Sequence, residues 1–388
     1  MTLDMANAPH TFQSHLVGER ILLLGGSGYL GRVLAARILA TTPCDLVLPL
    51  RAHHDPRAVV HAIAAEDPRL NLHTVARRTK RVVLPDSLLD LAPLCRAAGV
   101  RGVLHCAGSV SYFDRAALEA GNQRLTAGAL ALGEALGVDW FVYLSTAFAS
   151  GYRSGPIGEQ LHGAPLDGDP TAYTASKRAC EHLVAASGLP ALIARPSVVI
   201  GDSRSGYYSG RPYGVYQLWR GFERLLAHRW QETAHAVVSD QKLQVVHQDA
   251  VADGLIAALK QFRPGRILHL VSDPAHLPTA RDAWALWIRH VVRPEEVRFH
   301  PSLEATEGES LSPSQRLFLE FTSTNLEIAD RSWAFETTGL WELGVPLPVA
   351  DARSLLRCQE AFVAGSRRMQ SYLAMTPTPE HPDVVLSA

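Results

Sequence analysis

Three side chains in this sequence have the chemistry of a carbonyl reduction: Thr146, Tyr173 and Lys177. Hydride addition to a carbonyl leaves an oxyanion that needs a proton. A tyrosine supplies it if its pKa, normally about 10, is brought down. Tyr173 and Lys177 are four apart in Tyr-Thr-Ala-Ser-Lys, on one face of a predicted helix. The ammonium is expected to lower the phenol's pKa electrostatically and to hold a nicotinamide ribose. Thr146 follows the apolar run Trp140–Leu144, a predicted strand, and would hydrogen-bond the carbonyl oxygen. A lone Tyr-x-x-x-Lys is too short a pattern to carry this reading. Its weight comes from what precedes it.

That is the stretch Ile21-Leu-Leu-Leu-Gly-Gly-Ser-Gly-Tyr-Leu-Gly31. An aliphatic run reads as a buried strand, four glycines follow within seven residues, and Arg32–Ala40 has helical apolar spacing. Strand, glycine turn and helix form the context of a dinucleotide-binding fingerprint. Two registers fit, Gly25-x-x-Gly28-x-x-Gly31 and Gly26-x-Gly28-x-x-Gly31; the first is preferred because the strand runs directly into Gly25. Gly25 would make the tight turn, Gly28 would admit the pyrophosphate, and Gly31 would let helix pack on strand. Free N–H groups of the first helical turn would face the phosphates. Ser27, Tyr29 and Leu30 therefore join the glycines as predicted cofactor contacts.

The predicted second strand, Asp45–Leu50, ends at Arg51, and no acid appears until Asp55. An NAD site usually places a carboxylate here for the ribose hydroxyls. A guanidinium instead binds a 2′-phosphate through two parallel hydrogen bonds, so the expected cofactor is NADPH with Arg51 as chief contact. After the third strand, Arg81–Leu84, Asp86 is a candidate for the adenine amino group and equally for capping a helix over Ser87–Ala98. The fourth strand, Val100–Cys106, ends in Ala107 and Gly108, small enough to leave room for a dinucleotide. His105 and Cys106 lack further ligands at suitable spacing, so no metal site is expected. Asn122 is predicted to open a helix to Leu136 and to tie layers together through its amide.

The chain has 388 residues, 47% of them hydrophobic and 19% charged, enough for a sizeable core in one large domain or two ordinary ones. A net charge of −1 argues against nucleic acid as the main partner. The five cysteines are scattered and odd in number, which reads as reduced thiols in a cytoplasmic protein. No stretch reads as a signal peptide or membrane insertion.

Strand and helix alternate to the sixth strand, Ala191–Ile200. Six aromatics then crowd Gly206–Gln241 before Trp230 (Tyr207, Tyr208, Tyr213, Tyr216, Trp219, Phe222), as a substrate wall or as ordinary core. Strands near Leu243–His247 and Arg266–Leu270 flank a helix, and the remainder looks mainly helical. The expected fold is α/β, a doubly wound parallel sheet with a smaller, mainly helical substrate domain. Residues 18–205 and 243–275 would form the first unit, residues 206–242 and 276–375 the second, with flexible tails at 1–17 and 376–388.

The sequence resembles the extended short-chain dehydrogenase/reductases. The matching pieces are Gly25–Gly31, His105-Cys-Ala-Gly108, Asn122, Phe141-Val-Tyr-Leu-Ser-Thr146, Tyr173-Thr-Ala-Ser-Lys177 with Glu181, and Arg195-Pro196. The resemblance implies catalytic roles for Thr146, Tyr173 and Lys177 and adds Pro196 and Val198 to the cofactor contacts. Leu50-Arg51-Ala52, Leu144-Ser-Thr-Ala147 and Arg195-Pro-Ser-Val-Val-Ile-Gly-Asp-Ser-Arg-Ser-Gly206 resemble the thioester-reductase and fatty acyl reductase branch, the male-sterility type. That branch reduces thioesters of CoA or a carrier protein to an aldehyde or alcohol with NADPH. The segment from Arg51 to Asp86 is shorter than usual there, and the chain from Thr279 carries no placed motif. The alternative is a carbonyl or alcohol oxidoreductase of the 3β-hydroxysteroid or dihydroflavonol type.

Overall fold

The computed structural model describes residues 18–112, 114–229, 232–290 and 296–375; the two predicted tails and Trp230 lie outside the described residues. Four-residue apolar runs make the buried strands. β1 (Arg20–Leu24) enters the glycine turn, α1 (Tyr29–Thr41) returns, and β2 (Asp45–Leu50) lies beside β1. α2 (Pro56–Ala65), α3 (Leu72–Arg78) and β3 (Thr79–Val83) complete that half. α4 (Ala92–Ala98) leads to β4 (Val100–His105). A short α5 (Arg115–Leu118) continues through a π-helical turn, Glu119–Arg124, into α6 (Leu125–Leu136), then β5 (Trp140–Leu144). Asn122 thus sits inside the π turn instead of opening the helix, which gives its side chain a sideways aim.

β6 (Pro156–Ile157), α7 (Ala172–Ala186), β7 (Ala191–Pro196) and β8 (Val198–Ile200) follow. Next come α8 (Val215–Leu225), β9 (Ala234–Val237), β10 (Val245–His247), α9 (Gln248–Lys260) and β11 (Ile267–Leu270). α10 (Ala280–His290), β12 (Val297–His300), α11 (Pro313–Ala329), β13 (Ala334–Phe335) and α12 (Thr338–Glu342) precede α13 (Ala352–Ala364) and α14 (Arg367–Met375).

The main sheet is parallel, in the order β3-β2-β1-β4-β5-β7-β11. The order reverses between β1 and β4, the switch point where doubly wound sheets bind ligands. Both faces are covered: Ile21 and Leu23 join one buried cluster, Leu22 and Leu24 the other. The predicted sixth strand is two strands. β7 stays in the main sheet, whereas β8 pairs with β10 in a separate parallel pair. Pro196 closes β7; it has no N–H to continue a ladder.

A second core gathers α8, α10, α11 and α13 around Trp219, Phe222, Trp284, Trp287 and Phe318. Its limits differ from those expected. Ile200 and Val245 belong to it, and Leu340 and Leu343 pack instead into the first core, where α12 meets β11. No helix among the described residues is long and apolar enough to cross a membrane.

Candidate active site

The glycine turn lies at the carboxyl edge of the sheet. Gly25 has φ +92°, and a Cβ there would sit 2.6 Å from the Ala107 nitrogen. The close approach of the β1 and β4 ends therefore requires glycine. At Gly31 a Cβ would collide with the Gly25 carbonyl oxygen, so this glycine packs the helix on the turn itself, and not on the strand. Gly28 is exposed at the N-cap of α1. The N–H groups of the next residues lack intrahelical acceptors, as at any helix start.

Asn122 locks the facing loop: its Oδ1 accepts from Ser109 N (2.7 Å), and its Nδ2 donates to Ser109 O (3.2 Å) and Ser176 Oγ (2.7 Å). Gly108 lies against that carboxamide. The predicted tie runs from the loop after β4 to α7.

α7 begins at a capping box in which Thr171 and Thr174 exchange hydrogen bonds. It positions Tyr173 in its first turn. Tyr173, Thr146 and Ser145 share an apolar cavity of about 260 Å³. Thr146 Oγ1 donates a long bond to Pro196 O (3.4 Å). Lys177 is buried beneath: its Nζ donates to Leu144 O (2.6 Å) and Tyr143 Oη (3.1 Å) and lies 4.5 Å from the Tyr143 ring centre.

The titration behaviour corrects one expectation. Burial pushes the Tyr173 phenol up, with Tyr112 and Tyr213 adding to the shift. Desolvation is the largest cause there, and it also pulls the Lys177 amine down, to about 8. His105, whose Nε2 lies 3.0 Å from Thr126 Oγ1, is held neutral by burial, at about 3.

The aromatic segment divides between the cavity and the second core. Tyr208, Tyr213 and Trp219 line the cavity; Tyr216 and Phe222 are buried in the second core, and Tyr207 is exposed. Other walls come from far along the chain: Phe148, Trp284, Asn325 and Trp333. An aromatic file links cofactor loop to second core. Tyr29 lies 4.6 Å from Tyr208, Tyr208 stacks on Tyr216 at 3.7 Å, Tyr216 meets Trp219 at 4.8 Å, and Trp219 stacks on Trp287 at 5.6 Å. The Tyr29 hydroxyl donates to Gln248 Oε1 (2.6 Å), so its side chain is committed to α9. Arg32, which has no motif of its own in the sequence, donates to Ser27 O (3.0 Å) and Ser209 O (3.0 Å). Ser209 also donates to Glu66, a carboxyl that burial pushes up.

Leu30, Pro196 and Val198 line the same cavity. Arg51 is exposed at the end of β2, and Asp55, the nearest acid, accepts from Arg57 N (2.9 Å) as the cap of α2. Asp86 is exposed on its loop, and the following turn is capped at Ser87, not by Asp86. A dinucleotide fits this edge on two counts. The turn presents an open helix N-terminus, and the buried hydroxyls of Ser145 and Ser197 have no hydrogen-bond partner among the described residues. Ser197 carries no signal in the sequence beyond its place after Pro196.

The structure resembles the terminal R domain from the myxalamid PKS-NRPS biosynthetic pathway, with TM-score 0.72 and 20% identity over 90% of this chain and 91% of that one. It also resembles a thiolation-reductase di-domain from an archaeal non-ribosomal peptide synthetase, with TM-score 0.70 and 19% identity over 90% and 76%. UDP-glucuronic acid 4-epimerase from Bacillus cereus, in complex with UDP-glucuronic acid and NAD, follows at TM-score 0.62 and 17% identity over 89% and 100%. A search of curated protein sequences gave no match. The family described as male sterility protein matches residues 23–255. Over more than half its length, then, this chain belongs to the male sterility protein family, and it is an oxidoreductase of the extended short-chain dehydrogenase/reductase type with a site for a nicotinamide dinucleotide.

Proposed function

We propose that the protein is an NADPH-dependent reductase of an acyl thioester, CoA-bound or carrier-protein-bound, giving an aldehyde or alcohol. The observation that carries this reading is the junction of the apolar cavity with the hydroxyls of Thr146 and Tyr173. An acyl chain would lie in the apolar part, with its carbonyl at those hydroxyls. Likeness to two reductase structures supports the thioester over other carbonyls.

Arg51 would hold the 2′-phosphate, since Asp55 is engaged as a helix cap and Arg51 is exposed. The turn Gly25–Gly31 with Ser27, Tyr29 and Leu30 would hold the pyrophosphate through backbone N–H groups. A bound NADPH would supply the hydride that the thioester carbonyl accepts. Thr146 and Tyr173 would stabilise the oxygen that gains charge, and Tyr173, kept protonated by burial, would deliver the proton to it. Collapse of this hemithioacetal breaks the C–S bond, the proton leaves with the sulfur as free thiol, and the aldehyde remains, an alcohol requiring a second hydride and proton. Lys177 fixes the end of β5, and so the position of Thr146.

The test is incubation with NADPH and a panel of acyl-CoA esters, acyl-pantetheines, aldehydes and ketones, following nicotinamide absorbance and free thiol. Thiol release in step with oxidation is expected. Turnover of ketones or aldehydes with no thiol from any ester overturns the proposal in favour of a carbonyl oxidoreductase.

A further inference from the structure

The geometry points to a transition-metal site of the zinc type formed by His235, His300 and Glu309, separate from Thr146, Tyr173 and Lys177. β9 and β12 pair in parallel, with His235 opposite Arg298 and His300 opposite Val237. Positions 298 and 300 point to the same face of their strand. The two imidazoles are therefore diagonal neighbours on one face, both buried. Their rings are nearly parallel, at 14°, and His235 Nδ1 lies 2.9 Å from His300 Nε2. A carboxylate oxygen of Glu309 completes the set, with all three ligand atoms within 4.8 Å of one another.

Two imidazole nitrogens and a carboxylate oxygen are the donors that zinc and its neighbours prefer, with water free to take a fourth position. Nitrogens about 2.0 Å from a tetrahedral zinc lie about 3.3 Å apart. The pair thus needs to part by only a few tenths of an ångström, giving up one N–H···N bond. Glu309 is partly exposed, which leaves a path from solvent, and its present partner Arg298 (3.4 Å) keeps Glu296 (3.0 Å) when Glu309 turns to the metal.

The site has a structural task. Glu309 sits in the loop just before α11, and Gln315 in the first turn of α11 already accepts from His235 N (3.2 Å). The far end of α11 brings Asn325 and Leu326 to the cavity wall. A metal here fastens that helix to the β9–β12 pair.

The test uses the untagged, metal-stripped full-length chain titrated with ZnCl2 by calorimetry, with CoCl2 absorption as a second readout. We expect one zinc per chain bound at this site, cobalt d–d bands of low coordination number, and a melting temperature that rises with zinc. Affinity should fall by roughly tenfold or more in His300→Gln and in Glu309→Gln. Glu309→Gln is partly exposed, so its fold is secure even if His300→Gln unfolds. No zinc uptake by the parent chain, or uptake of unchanged stoichiometry and affinity in Glu309→Gln, overturns the site.

Discussion

The Lys177 ammonium donates to the Leu144 carbonyl at 2.6 Å, at the strand end that delivers Ser145 and Thr146. The lysine that the sequence pairs with a tyrosine on its own helix is thus bound to the neighbouring strand. Its burial sets a stability window. The folded amine titrates at about 8, against 10.5 for a free lysine, so between those values the unfolded chain holds more protons. Stability carried by Lys177 therefore rises with pH across that window. Relative to Lys177→Met, the parent chain should gain about 2 kcal/mol between pH 7.5 and pH 9.5, read from urea midpoints. A difference independent of pH would contradict a buried, depressed amine.

Tyr173 is protonated at all ordinary pH values, because burial raises it. Tyr173→Phe should cut turnover by roughly 10²–10⁴-fold while the dinucleotide binds as before. Stopped-flow turnover with a fluorescence titration separates the two effects; a fully active variant removes Tyr173 from the chemistry.

Arg51→Ala should weaken NADPH by about tenfold or more and leave NADH nearly unchanged, the loss expected for charge-assisted hydrogen bonds to a phosphate. Equal losses for both would assign the 2′-phosphate to another group.

Arg195 and Glu181 form an ion pair with both side chains fully buried, joined at 2.8 and 2.7 Å. Arg195→Met strands a carboxylate in the core and should cost about 3–5 kcal/mol. Arg195→Met with Glu181→Leu should recover much of that, measured by chemical denaturation.

What the sequence reveals here is what short spacing encodes. The turn Gly25–Gly31, the strand end at Thr146 and the helix carrying Tyr173 are set by neighbours within a few residues, and they stand where the sequence places them. The Lys177–Leu144 bond crosses 33 residues and leaves no local mark. Phe148 meets Trp333 edge-on at 4.9 Å, yet each reads in sequence as an ordinary aromatic. The sixth strand divides because Pro196 ends one ladder while Val198 begins another, whereas the apolar residues on both sides of Arg195-Pro196-Ser197 suggest a single strand. His235 and His300 meet only through the β9–β12 pairing, which hydropathy does not announce.

The aromatic file from Tyr29 through Tyr208 and Tyr216 to Trp219 joins the glycine turn to the cavity wall without a gap. Packed rings of this kind shift together or not at all. A ligand that displaced Tyr208 would be felt by a ligand at the other end, and such linkage is reciprocal: the factor by which a cofactor changed acyl affinity would equal the factor by which the acyl group changed cofactor affinity. The two affinities would then be a joint property of four packed aromatic side chains, and not of either pocket taken alone.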